Sequence, residues 1–130
     1  MIEELYLKNF RCFDNYKVEF DKFNIIVGKN DTGKSTIIDA LKLVSNVRRY
    51  APYRDYYLEE RDIPFSRIYL NHNYTPEDSV VQSKFSDGTE IEIIFPVEDR
   101  PYAWFLVDGV EVSKKEIKNK YLYLFSSPFL

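Results

Sequence analysis

Nine residues, GKNDTGKST from Gly28 to Thr36, constrain this chain more than any other feature. The first eight fit G-x-x-x-x-G-K-[ST], a loop that cradles phosphate. Such a loop requires a buried strand before it and a helix after it. FNIIV (23–27) is a compact apolar run, as a buried strand reads. In residues 34–49, Ile37, Ala40, Leu41, Val44 and Val47 recur at three- and four-residue spacing, with Ile38 widening the stripe. That is the buried face of a helix, with Arg48 and Arg49 at its C-terminal end, where the dipole favours cations. The order strand, loop, helix is the one the motif needs.

The spacing has a physical basis. Gly28 and Gly33 permit backbone conformations that gather N–H groups around a phosphate. The following helix start adds unpaired N–H groups and a positive dipole end. Lys34 supplies a full charge for the β- and γ-phosphates, and Ser35 a hydroxyl for Mg²⁺, which keeps most of its waters. Each charge-assisted hydrogen bond is worth about 1.5–3 kcal/mol, so several together give useful affinity.

The rest of the chain reads mainly as strands. IEELYLKNF (2–10) alternates around Leu5 and Leu7; a turn is expected at Cys12–Tyr16, around Asp14 and Asn15. Tyr16, Val18 and Phe20 then share one face of a second strand. Residues 50–67 lack a clean period and predict a long loop with one helical turn. SDGT (86–89) joins VVQSKF to EIEIIF, and VDGVEV (107–112) follows YAWFLV, two Asp-Gly hairpins. Ser113 and Glu116 form a capping-box pattern ahead of a short helix near 114–120, and KYLYLFSSPFL returns to strand. The predicted fold is α/β with α+β character. One partial domain spans 1–130: hairpin, phosphate loop and helix in 1–49, irregular loop in 50–67, antiparallel β subdomain in 68–130.

At 130 residues the chain can bury a core without disulfides or metal. Its 11 Tyr and 10 Phe suit strands, and its net charge of −3 predicts no global attraction to nucleic acid. A single cysteine, Cys12, rules out an internal disulfide. There is no long apolar run and no basic, apolar leader at the N-terminus, so a cytoplasmic protein without membrane contact is expected.

LYLKNFRCF, a short acidic hairpin and FNIIVGKNDTGKSTIIDAL together resemble the N-terminus of ABC-type P-loop ATPases of the SMC, RecF and OLD branch. The resemblance covers residues 1–48 closely, and the hairpins of 68–112 more loosely. Asp31 leans toward OLD-like members, since SMC-type loops more often carry Gly there. In that family the loop binds ATP with Mg²⁺, two heads sandwich the nucleotide, and the proteins act in DNA repair, chromosome organisation or defence against phage. The resemblance implies nucleotide contacts for Gly28, Asn30, Asp31, Thr32, Gly33, Lys34, Ser35 and Thr36, with Ser35 also at the metal. It adds Arg11, in the N-F-R element, whose basic residue approaches the nucleotide. Asp39, one turn into the helix, reads as a solvated or structural carboxylate.

Hydrolysis in this family needs more: a glutamine loop, a serine-glycine signature, an acidic pair after a buried strand and a late histidine. Gly88 and Gly109 are hairpin turns, so no signature exists here. Gln82, the only glutamine, falls on a hairpin strand. Glu98-Asp99 follows IIFPV, which Pro96 marks as an edge strand. His72 reads as a turn residue. The 130-residue chain alone is therefore expected not to turn over ATP. Its apolar ending, SSPFL, is expected of a longer ATPase cut near the glutamine loop, whose partner is the rest of the same protein or a second head. Two alternatives stand beside this. One is a nucleotide-binding or regulatory module without hydrolysis, completed by a partner. The other is a nucleic-acid-binding module gripping with Arg48, Arg49, Arg54, Arg61 and Arg67 among Tyr50, Tyr53, Tyr56 and Tyr57, although Asp55, Glu59, Glu60 and Asp62 offset that charge.

Overall fold

The computed structural model describes residues 2–20, 32–50, 57–66, 70–71 and 76–112, with backbone alone for Thr32 and Tyr50. Six strands form one antiparallel sheet: β1 (Ile2–Phe10), β2 (Phe13–Glu19), β3 (Ser79–Phe85), β4 (Thr89–Phe95), β5 (Tyr102–Val107) and β6 (Val110–Glu111). Their spatial order is β2-β1-β3-β4-β5-β6. Among the described residues one α-helix, α1 (Thr32–Tyr50), packs on β3 and β4.

Alternation along the strands decides which face α1 covers. Leu5 and Leu7 on β1, Val81 and Phe85 on β3, Ile91, Ile93 and Phe95 on β4, and Ala103 and Phe105 on β5 are all buried. The register keeps them on one face: Leu7 faces Val81, Val81 faces Ile93, and Ile93 faces Ala103. The opposite face carries the row Lys17, Tyr6, Gln82, Glu92, Trp104. Such alternation is the mark of an antiparallel sheet with one covered face.

Helix α1 buries Ile37, Ala40, Leu43, Val44 and Val47, and each large apolar side chain so buried contributes about 1.5–3 kcal/mol. The expected stripe is thus corrected at one position. Leu43 is fully buried, whereas Leu41 packs only partly against the core. Both residues are apolar, and only their packing in the folded chain distinguishes them.

The first turn also differs from expectation. The chain reverses at Arg11–Cys12, and Asp14 and Asn15 lie within β2. Asn9 (φ 50°) and Arg11 (φ 53°) both take left-handed backbone. The break at Asn9 shifts the alternation, so Phe10 enters the core although Leu5 and Leu7 set the opposite parity. Asn tolerates this conformation better than most residues. Asn9 is buried, its Nδ2 donates to the Glu77 carbonyl (3.0 Å), and its own carbonyl accepts from Ser79 Oγ (2.5 Å).

Both Asp-Gly hairpins form as read. Gly88 (φ 88°) closes β3–β4, with Asp87 Oδ1 accepting from the Thr89 N–H (2.9 Å). Asp108 (φ 52°) and Gly109 (φ 82°) close β5–β6, the two positive φ values that a two-residue I′ turn demands. The expected single helical turn in 50–67 is a 3₁₀ turn at Glu60–Asp62. Asp62, buried, accepts from the Glu59 N–H (2.8 Å), and its carbonyl accepts from Asn46 Nδ2 of α1 (3.1 Å).

β4 is no edge strand: it lies between β3 and β5. Pro96 falls just past its last residue, so the missing N–H costs the ladder nothing. The expected strand 23–27, the helix near 114–120, the final strand and His72 lie outside the described residues.

Candidate functional site

The site is built at the start of α1. The helix begins at Thr32, two residues before the position expected from periodicity, so Thr32, Gly33, Lys34 and Ser35 form its first turn. Backbone N–H groups there have no partner within the helix and point along its axis. That turn holds no acidic residue. Carboxylates are the usual complement of a helix N-terminus, and a lysine there opposes the dipole by about 0.3–1 kcal/mol. An anion in front of the turn reverses that balance. Ser35 is exposed and Lys34 half-buried, while Thr36 is buried against the β1–β2 turn. Gly28, Asn30 and Asp31 lie outside the described residues.

The β1–β2 turn lies against the second turn of α1. The Cys12 thiol points at Thr36 Oγ1 (3.8 Å). Arg11 NH1 donates to Asp39 Oδ2 at 2.5 Å, with both side chains about a fifth to a quarter exposed. The Arg11 guanidinium also lies 4.6 Å from the centroid of the Phe65 ring. Phe65 in turn meets Phe10 edge-on at 5.7 Å. Asp39 is thus the structural carboxylate its position suggested, and its partner is Arg11. Of the residues expected at the site, Lys34 and Ser35 lie in the first turn of α1, Thr36 follows them, and Arg11 meets Asp39 one turn further along. The pairing of Asp39 with Arg11 was missed; Asp39 lies four residues from Ser35, on the same face of the helix.

Magnesium fits this donor set. It favours one or two protein oxygens plus phosphate and water. Ser35 offers a hydroxyl, and among the described residues no group of three or more His, Cys, Asp or Glu forms a separate metal cage.

The other candidates take no part in this site. Glu98 and Asp99 are exposed beyond β4, lining an open cavity of about 470 Å³ with Leu58, Ile63 and Val97. Gln82 sits mid-strand opposite Glu92. The arginine–tyrosine grip loses a central member, because Arg48 is only 6% exposed and lies over the Phe85 ring. Burial pushes its guanidinium below the usual value, against the pull of Asp87. Arg61 pairs with Glu59 (2.7 Å), and Tyr57 packs edge-on against Tyr102 (6.3 Å). Arg54 and Arg67 lie outside the described residues. Among the described residues no helix is long and apolar enough to cross a membrane.

Comparison with known proteins settles the family. The family model for the AAA ATPase domain matches residues 1–127. The chain belongs to that family. Its relatives include the DNA replication and repair protein RecF of Clostridium acetobutylicum, 33% identical over 88 residues, or 67% of this chain and 24% of the relative. The DNA double-strand break repair Rad50 ATPase of Archaeoglobus fulgidus is 45% identical over 42 residues, 32% of this chain and 5% of its own length. A solved structure of the recombination mediator protein RecF with ATP superposes with a TM-score of 0.56 at 20% identity, covering 86% of this chain and 27% of that one. This AAA ATPase chain thus has the fold expected of the SMC and RecF branch, and spans about a quarter of the length of these RecF relatives.

Proposed function

We propose that the chain binds ATP with Mg²⁺ through residues 28–36, as the nucleotide-binding part of a RecF- or SMC-type ATPase that acts in DNA repair. The observation that carries this is the first turn of α1: a lysine and a serine at the positive end of a helix, in a turn that itself contains no acidic residue. ATP offers the anion that such an end favours. Lys34 neutralises phosphate charge, Ser35 holds Mg²⁺ through its hydroxyl, and the backbone of Gly33 approaches the phosphates closely. Asn30, Asp31 and Thr32 border the nucleotide, and Arg11 adds a second positive charge. The bound metal supplies charge neutralisation at the phosphates.

Support for repair over antiviral defence comes from the company the chain keeps, since the RecF and Rad50 relatives both carry repair in their names. On this reading the protein is cytoplasmic. The remainder of an ATPase head, in the same protein or a second copy, completes the site, and DNA is met through the complete protein. Phosphoryl transfer needs an oriented water and balanced charge. Glu98 and Asp99, exposed past an antiparallel strand, supply neither, so this chain alone binds without turnover.

The test is equilibrium titration of the 130-residue chain with a fluorescent ATP analogue, with and without Mg²⁺. Lys34→Ala is expected to weaken binding at least about tenfold, the loss of one charge-assisted contact, without lowering the melting temperature. Equal affinity of wild type and Lys34→Ala rejects the reading.

A further inference from the structure

We propose that Asp39 is a positioning residue for the nucleotide site, acting through Arg11; this rests on the reading of residues 28–36 as an ATP site. Four fixtures hold Arg11. Its N–H donates to the Leu70 carbonyl (2.5 Å), and its guanidinium lies over Phe65. Its backbone sits at φ 53°, and NH1 is bonded to Asp39. A left-handed conformation costs a residue with a Cβ about 1–2 kcal/mol. A partly exposed ion pair returns only about 0–1 kcal/mol. Strain of this kind gathers where a side chain must be aimed.

The aim follows from helix geometry. Asp39 and Ser35 are four residues apart on α1, so their side chains lie about 5–6 Å apart on one face. Asp39 therefore draws the guanidinium onto the same face as Ser35, one turn behind the first helical turn. The neighbouring contact between Cys12 and Thr36 seats the turn that carries Arg11 on this part of the helix. Without Asp39, the long arginine side chain loses its ion-pair anchor on α1, and its charge is held less closely to that face of the helix.

The experiment is the same titration on the full chain with Arg11→Ala, Asp39→Ala, Asp39→Glu, the Arg11→Ala/Asp39→Ala double variant and Lys34→Ala, each with its melting temperature. Asp39→Ala is expected to weaken ATP binding about fivefold and Arg11→Ala about tenfold, the lower end for one partly exposed charge-assisted contact. The double variant is expected to match Arg11→Ala, and Asp39→Glu to restore most of the affinity. If Asp39→Ala melts below the assay temperature, Asp39→Asn, which keeps shape but not charge, takes its place. Unchanged or tighter ATP binding by the Asp39 variants, or losses that simply multiply in the double variant, overturn the proposal. Lys34→Ala separates the two failures. If it abolishes binding while the Asp39 variants bind normally, the ATP site stands and the role of Asp39 falls. If it binds as wild type does, both fall.

Discussion

The guanidinium of Arg48 lies 4.8 Å from the centroid of the Phe85 ring, so the last turn of α1 is fastened to the last residue of β3. A desolvated cation–π contact contributes about 2 kcal/mol, and the aliphatic stem of the arginine adds packing. Arg48→Ala is expected to lower stability by about 2 kcal/mol in urea denaturation, and to leave the salt dependence of any DNA binding unchanged. A variant as stable as wild type, but with a shallower salt slope, would return Arg48 to the nucleic-acid-binding set.

The corrected helix face predicts a contrast between two leucines. Leu43→Ala is expected to cost about 2–5 kcal/mol, as large-to-small changes at fully buried sites do. Leu43→Asp is expected to prevent folding, because it places an unpaired charge in the core. Leu41→Asp, at the partly buried margin, is expected to remain folded with a lowered melting temperature. The melting curves of the two Asp variants decide between the faces.

Asn9 combines a left-handed backbone with a buried amide. Asn9→Ala loses the bond to Glu77 and fits φ 50° poorly, so a cost of about 2 kcal/mol is expected. Asn71 Nδ2 also donates to the Glu77 carbonyl (2.7 Å), which limits the loss. Asn9→Gly keeps the conformation and is expected to be the milder of the two. Chemical denaturation of both variants checks the order.

Catalysis offers the simplest negative prediction. The purified 130-residue chain is expected to release no phosphate from ATP above background in a steady-state assay. Release that Lys34→Ala abolishes would show that the chain carries a water-orienting group among residues assigned no such role.

The hairpins and the helix were legible because their signals are local. Gly88 and Gly109 mark positive φ, and the stripe on α1 repeats within a few turns. What stayed hidden depends on tertiary packing. Leu41 and Leu43 are equally apolar, and only the sheet under α1 distinguishes them. The turn at Arg11–Cys12 contains neither Gly nor Pro, while Asp14 and Asn15 carry a turn signal within a strand. Pro96 suggested an edge because its distance from the end of β4 was invisible. Arg11 and Asp39 were each noticed, but their pairing across the fold leaves no trace in the local sequence. The start of α1 was readable within two residues because the motif at 28–36 requires a helix after its loop.

Leu7 on β1 pairs with Val81 on β3, and everything between them, including the phosphate loop and α1, is strung across that one junction. Closing such a junction carries a loop-entropy cost before any contact repays it. On the ribosome, β1 and α1 emerge long before the strand that joins them. The hairpin β1–β2 can form early, but α1 has no sheet to lie on until β3 and β4 appear. The site proposed for the nucleotide is therefore a late product of synthesis, finished only when its scaffold arrives from downstream.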